Sequence, residues 1–164
     1  MNDLLETKSL TKEYGRHKAV DNVNIHIRQG DIYGLIGRNG AGKTTLLKMI
    51  SGLAAPTQGG FSLFGKEGNG AYRYMSRVGT LIESPGIYPN MTAAQNLKLK
   101  CLAMGVRKKG VIPELLETVG LSQAGRKKVK NFSLGMKQRL GIALALVGDP
   151  DLVILDEPIN GLDP

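Results

Sequence analysis

The chain has 164 residues, enough for one compact core, and 41 % of them are hydrophobic, which is a globular composition. Its formal net charge of +8 favours acidic partners: a nucleotide, a nucleic acid or an anionic bilayer surface. No apolar run approaches the roughly 18–20 residues of a membrane span, Met1-Asn2-Asp3-Leu4-Leu5-Glu6 lacks the basic-then-apolar layout of a signal peptide, and a single cysteine excludes an internal disulfide and suits a reducing cytosol.

Residues 4–10 read as a strand, and Tyr14-Gly15-Arg16-His17-Lys18-Ala19-Val20 as a loop. Val23, Ile25 and Ile27 alternate with Asn24, His26 and Arg28, which predicts a half-buried strand with His26 facing outward. Gln29-Gly30-Asp31 turns the chain into Ile32-Tyr33-Gly34-Leu35-Ile36, an apolar run read as a buried strand.

Gly37-Arg38-Asn39-Gly40-Ala41-Gly42-Lys43-Thr44-Thr45 follows and fits G-x-x-x-x-G-K-[ST]. Thr45-Leu46-Leu47-Lys48-Met49-Ile50 then reads as a helix that stops at Ser51-Gly52. Strand, glycine loop and helix together make this pattern a phosphate site. Glycines at 37, 40 and 42 are expected to let the backbone approach closely and take positive φ, where a Cβ costs about 1–2 kcal/mol. The freed N–H groups then point inward as a nest, and the helix starting near Lys43 adds its N-terminal donors. Lys43 supplies a point charge for the outer phosphates, and the Thr44 hydroxyl can ligate Mg²⁺. The competing reading is a Gly-rich turn with a chance Lys-Thr pair.

Gly59-Gly60 precedes a short strand, Phe61-Ser62-Leu63-Phe64, closed by Gly65. Arg77-Val78-Gly79-Thr80-Leu81-Ile82 reads as another buried strand, ending at Glu83-Ser84-Pro85-Gly86. Helical texture follows. Thr92-Ala93-Ala94-Gln95 fits a capping box, and Cys101 shares a face with Leu97 and Met104, which makes it core. Pro113 suits the first turn of a helix that stops at Gly120. Arg107-Lys108-Lys109 and Arg126-Lys127-Lys128-Val129-Lys130 are basic clusters, either solvated loop and helix ends or contacts for an anionic partner. No aromatic residue interleaves with them, which argues against stacking on single-stranded nucleic acid. A helix from about Gly135 to Val147 ends at Gly148-Asp149-Pro150, and Leu152-Val153-Ile154-Leu155 is a short apolar strand bounded by Asp156-Glu157-Pro158. Apolar strands without alternation imply a largely parallel α/β core.

Four apolar residues followed by Asp156-Glu157 would complete a nucleotide hydrolase. The strand is expected to deliver Asp156 beside the glycine loop, where it can hold Mg²⁺ directly or through water. Glu157 can then face the terminal phosphate and accept a proton from attacking water, an effect worth ~10²–10⁴-fold in rate. Alone, the acidic pair reads equally well as a charged strand end.

With these residues in place the chain resembles the ATP-binding domain of ABC transporters over its whole length. Phe132-Ser133-Leu134-Gly135-Met136 with Lys137-Gln138-Arg139-Leu140 looks like the family's signature motif LSGGQ and its continuation, and Asn160-Gly161-Leu162-Asp163 looks like its D-loop. The resemblance implies an α/β fold of the P-loop NTPase, RecA-like kind: a mostly parallel sheet core, an N-terminal antiparallel β subdomain and a helical insert. It implies one incomplete domain over 1–164, with the β subdomain and loop core at about 1–83, the helical part at about 84–140 and the return to the core at about 141–164. It further implies that ATP and Mg²⁺ are bound, that Tyr14 stacks on adenine with Val20 nearby, and that two such domains face head to tail. Ser133 and the Gly135 backbone would then contact ATP held by the other subunit. Ser133 alone reads as a helix N-cap, and the two roles are compatible.

Three departures from the family pattern stand out. Leu134 and Met136 replace a glycine and a glutamine of the signature. Glu83 stands where the family usually has a glutamine that senses Mg²⁺ and water and connects to the membrane subunit. The run Leu81-Ile82-Glu83-Ser84-Pro85-Gly86-Ile87-Tyr88-Pro89-Asn90-Met91-Thr92 looks like the bacitracin-resistance and lantibiotic-immunity branch, which carries glutamate there. Finally, the family's domain continues past its D-loop to a switch histidine, and His17 and His26 both precede the glycine loop, so the resemblance implies a chain lacking the C-terminal part of the domain and predicts weak or absent ATPase activity for it alone. The implied parent is an ATPase, peripheral on the inner face of the cell membrane, that powers an integral membrane transporter subunit, with peptide antibiotics as cargo and no nucleic acid partner. The rival readings are a soluble ABC ATPase acting on ribosomes or nucleic acid, and a non-catalytic nucleotide-binding module.

Overall fold

The computed structural model describes residues 3–158, and its internal contacts divide the chain between Ser76 and Arg77 into two units. The first unit is built around strand β1 (Asp3–Tyr14). Strands β2 (His17–Val23) and β3 (His26–Arg28) pair antiparallel along one edge of β1, and β4 (Gln58–Leu63) pairs antiparallel along the other. A two-residue strand, β5 (Lys66–Glu67), completes this five-stranded sheet, which is the expected N-terminal antiparallel part. Its buried apolar side chains include Leu5, Leu10, Val20, Ile25 and Leu63, and helix α1 (Lys43–Ile50) adds Leu46, Met49 and Ile50. A short helix α2 (Asn69–Tyr72) sets Tyr72 edge-on to Phe61, with ring centroids 5.8 Å apart.

Several local expectations change here. Tyr14–Val20 is a β-hairpin, not a loop: Tyr14 faces His17 across a turn of Gly15 and Arg16. Gly15 has φ +60° and Arg16 is not among the positive-φ residues, which is the II′ pattern that matches strand twist. The alternating run from Val23 to Arg28 keeps its inward and outward pattern but splits between β2 and β3. Buried Thr7 bridges that break: its hydroxyl donates to the Val23 carbonyl at 3.0 Å and accepts from the Ile25 N–H at 2.9 Å. His26 is exposed as expected.

Ile32–Ile36 is the larger correction. Residues 31–38 belong to no strand, and Ile32 and Ile36 are fully exposed. Strand geometry persists only where a neighbour completes its ladder, and no described strand pairs with this run. Apolarity alone identified a segment suited to a sheet without supplying its partners.

The second unit pairs β6 (Val78–Leu81) with β7 (Leu152–Leu155) in parallel, Val78 opposite Leu152 through Leu81 opposite Leu155. Helices α3 (Ala93–Ala103), α4 (Val111–Thr118) and α5 (Leu134–Ala145) bury a shared cluster that includes Leu97, Cys101, Leu121, Val129, Phe132 and Leu140. Burial pushes the Cys101 thiol up from its ordinary range, as expected of a core cysteine. The capping box forms: the Thr92 hydroxyl accepts from the Gln95 N–H at 3.2 Å, and the Gln95 side-chain Oε1 accepts from the Thr92 N–H at 2.9 Å. Two glycines let α5 lie flush against β6. A Cβ on Gly79 would sit 2.0 Å from the Ala145 carbonyl oxygen, and one on Gly141 would sit 2.7 Å from Pro85 Cβ. Helix α5 therefore runs with its N-terminal end toward the carboxyl end of β6.

Candidate functional site

In the first unit the glycine loop opens α1. Gly40 and Gly42 have φ +81° and +85°, whereas Gly37 does not take positive φ, so its place in the loop rests on space. A Cβ at Gly37 would lie 3.3 Å from Ala41 Cβ. At Gly42 it would lie 2.0 Å from the Ala19 carbonyl oxygen and 3.2 Å from Val20 Cγ2, so the helix mouth presses on β2. Gly42 is the N-cap of α1 and offers no side-chain cap, and the first turn carries no acidic residue. The N-terminal N–H groups and the positive end of the helix dipole therefore face outward without a resident anion of the helix itself.

Lys43 folds back into the loop. Its Nζ donates to the carbonyls of Gly37 at 2.8 Å and Arg38 at 3.1 Å, and the Ala41 N–H donates to the Arg38 carbonyl at 3.1 Å. Arg38, Asn39 and Ala41 are exposed, and Thr44 and Thr45 are half-buried in the first turn of α1. The cationic group is thus held inside a small turn at a helix mouth, an arrangement that can receive a polyanion. Val20 is buried beside Gly42, and Tyr14 stands half-exposed at the hairpin end with Lys12 Nζ 5.1 Å from its ring centroid.

In the second unit the two parallel strands end side by side. The Asp156 N–H donates to the Leu81 carbonyl at 2.8 Å, which brings Asp156 and Glu157 to the same sheet end as Glu83. Asp156 is buried, while Glu83 and Glu157 are exposed. Both glutamates adopt positive φ, +63° at Glu83 and +45° at Glu157, which costs a non-glycine residue about 1–2 kcal/mol each. Among the described residues no group of three or more His, Cys, Asp or Glu side chains could hold a metal ion unaided. Carboxylate and hydroxyl oxygens are nonetheless the donor type that Mg²⁺ takes, and it commonly uses one or two carboxylates with phosphate and water completing the shell.

Ser133 is the N-cap of α5, its hydroxyl accepting from the Met136 N–H at 3.2 Å, and Gly135 lies in the first turn. Leu134, the residue in place of the signature glycine, is largely exposed. Further along α5, buried Gln138 donates through Nε2 to the Glu157 carbonyl at 3.3 Å. The sequence carried a signal for Gln138: it shares an inward face with Gly141 and Ala145, and a polar residue on such a face needs a partner. Asn160, Gly161, Leu162 and Asp163 lie outside the described residues.

A protein-family model described as "ABC transporter" matches residues 20–160. The chain is 51 % identical over its whole length to the bacitracin transport ATP-binding protein BcrA of Bacillus licheniformis and covers 54 % of that protein. It is 45 % identical to the lantibiotic transport ATP-binding protein SrtF of Streptococcus pyogenes, covering 98 % of this chain and 69 % of that one. The chain thus spans about half the length of the bacitracin-related protein. Among solved structures, an ATP-binding subunit of an ABC transporter superposes with a TM-score of 0.85 at 34 % identity, covering 98 % of this chain and 69 % of the other. A dimeric ATP-binding cassette captured after hydrolysis with ADP and Pi superposes at 0.84 with 26 % identity, covering 97 % of this chain and 76 % of the other.

Proposed function

Because the chain belongs to the ABC transporter family, we propose that it is the ATP-binding and ATP-hydrolysing part of a transporter subunit, working as a head-to-tail dimer on the cytoplasmic face of a membrane. The observation that carries this reading is the loop at the mouth of α1, where Lys43 is pinned to two backbone carbonyls and Gly42 has no room for a side chain. Gly37–Thr45 cradle the phosphates of ATP, with Arg38, Asn39 and Ala41 offering backbone donors, Lys43 opposing the outer phosphate charge and Tyr14 and Val20 flanking the base. The chain would be a single, incomplete domain: about 1–83 for the β part and loop, about 84–140 for the helical part and about 141–164 for the return to the core.

Glu157 accepts the proton of the attacking water; its backbone carbonyl is held by Gln138, and the residue as a whole is exposed. Thr44, Asp156 and Glu83 would hold Mg²⁺, which supplies charge neutralisation to the β and γ oxygens when bound. Ser133 and the Gly135 backbone meet the nucleotide of the second subunit at the N-terminus of α5. Glu83, beside the acidic pair, also joins the site to an integral membrane subunit. The names of the relatives support a peptide antibiotic as cargo. No helix among the described residues is long and apolar enough to cross a membrane; an integral membrane subunit of the transporter would carry out translocation.

Purification of the natural full-length protein tests the reading. Co-purification with a multi-span membrane subunit and ATP turnover that rises on addition of a peptide antibiotic are expected. Salt-sensitive RNA binding without any membrane subunit would overturn it.

A further inference from the structure

The bond between Gln138 and the Glu157 carbonyl joins two parts of the site that are far apart in sequence. Gln138 is only 6 % exposed, so its amide has few partners other than those the fold supplies. Glu157 sits two residues past the end of β7 in a left-handed backbone conformation that a glutamate does not adopt without support. The strand below it is already fixed, because the Asp156 N–H is tied to the Leu81 carbonyl. The carbonyl of the peptide after Glu157 is the atom that Gln138 holds. Gln138 in turn rides on α5, whose position is enforced by Gly141 against Leu81 and Pro85 and by Ala145 against Gly79. The same helix begins at Ser133, whose hydroxyl and neighbouring N–H groups form its mouth.

We propose that Gln138 is a positioning residue: it holds the Glu157 peptide in its strained conformation and so aims the Glu157 carboxylate, and it does this from the helix whose N-terminus meets the nucleotide of the second subunit. This rests on the reading of Glu157 and Ser133 given above. The six residues from Ser133 to Gln138 then make the arrival of one subunit's nucleotide felt at Glu157 through the helix backbone.

The test uses the natural full-length protein with its membrane partner. Gln138→Leu keeps volume and removes the donor; Gln138→Asn keeps the amide on a shorter stem and guards against a folding failure in the first variant. Loss of aim lowers kcat by about 10- to 100-fold, since displacement of a reacting group by 1 Å can cost 10²-fold. The dissociation constant for ATP stays within about threefold, because Gln138 is not a residue of the glycine loop. Gln138→Asn recovers part of the lost rate. In a Glu157→Gln background Gln138→Leu produces no further loss, because the aimed carboxylate is gone. A kcat unchanged in Gln138→Leu, or an equal further loss in the Glu157→Gln background, overturns the proposal. Full turnover in Glu157→Gln alone instead overturns the assignment of Glu157, which keeps the two failures apart.

Discussion

Gly42→Ala isolates the close approach on which the loop depends. The new methyl would stand 2.0 Å from the Ala19 carbonyl oxygen, 3.1 Å from its carbon and 3.2 Å from Val20 Cγ2, at φ +85°. The backbone conformation alone costs about 1–2 kcal/mol, and relieving an overlap against fixed backbone adds about 1–3 kcal/mol. The neighbour is a peptide of β2 within the sheet, so the start of α1 moves instead. A loss of about 3 kcal/mol corresponds to a fall in melting temperature of roughly 6–12 °C for a domain of this size. Gly40→Ala is the internal control: its φ is +81°, yet its methyl meets nothing within 4 Å, so it loses only the conformational part. Thermal unfolding followed by circular dichroism, with nucleotide affinity measured by calorimetry, separates the two. Equal destabilisation by both substitutions would refute the reasoning, because the contacts with Ala19 and Val20 are the difference invoked.

Thr92→Ala removes one half of the capping box on α3 and is expected to cost about 1 kcal/mol, read as a shift of the denaturant midpoint. Arg77 Nε donates to Asp151 Oδ2 at 2.7 Å and holds that carboxyl below the ordinary aspartate range. The sign is that of a depressed acid: any stability from this pair is present above the ordinary range and is lost as pH falls through the lower folded value. NMR titration should find Asp151 rising toward the ordinary range in Arg77→Ala. Glu83→Gln should leave ATP affinity nearly intact yet change coupled transport, measured as antibiotic export in vesicles of the complete transporter; unchanged export would remove the special role of Glu83.

The glycine loop was legible because its chemistry is local: Gly42, Lys43 and the helix after them are specified within ten residues, and the structure starts α1 at Lys43. The capping box at Thr92 and the end of β7 at Leu155 were legible for the same reason. Features that depend on distant partners were not. Ile32–Ile36 carries the apolarity of a buried strand, but pairing is a property of the neighbour and no described strand provides it. Tyr14–Val20 read as a loop because its polar content hid a hairpin that the Gly15 turn specifies. The identity of the surface that excludes a side chain at Gly42, the Ala19 peptide, is invisible to any local pattern because it lies more than twenty residues upstream. Gln138 was visible as part of a motif, and its partner at Glu157 emerged only when α5 packed along β6.

The central claim is that the loop at Lys43 and the acid at Glu157 serve one nucleotide in separate steps, binding and cleavage. ATP affinity and single-turnover hydrolysis, measured together on Lys43→Ala and Glu157→Gln forms of the natural full-length protein, test it most directly. Glu157→Gln should bind ATP within about threefold of the parent while hydrolysis drops by ~10²–10⁴-fold, and Lys43→Ala should lose about 1.5–3 kcal/mol of binding. Parent-like hydrolysis in Glu157→Gln, or parent-like affinity in Lys43→Ala, would contradict the account.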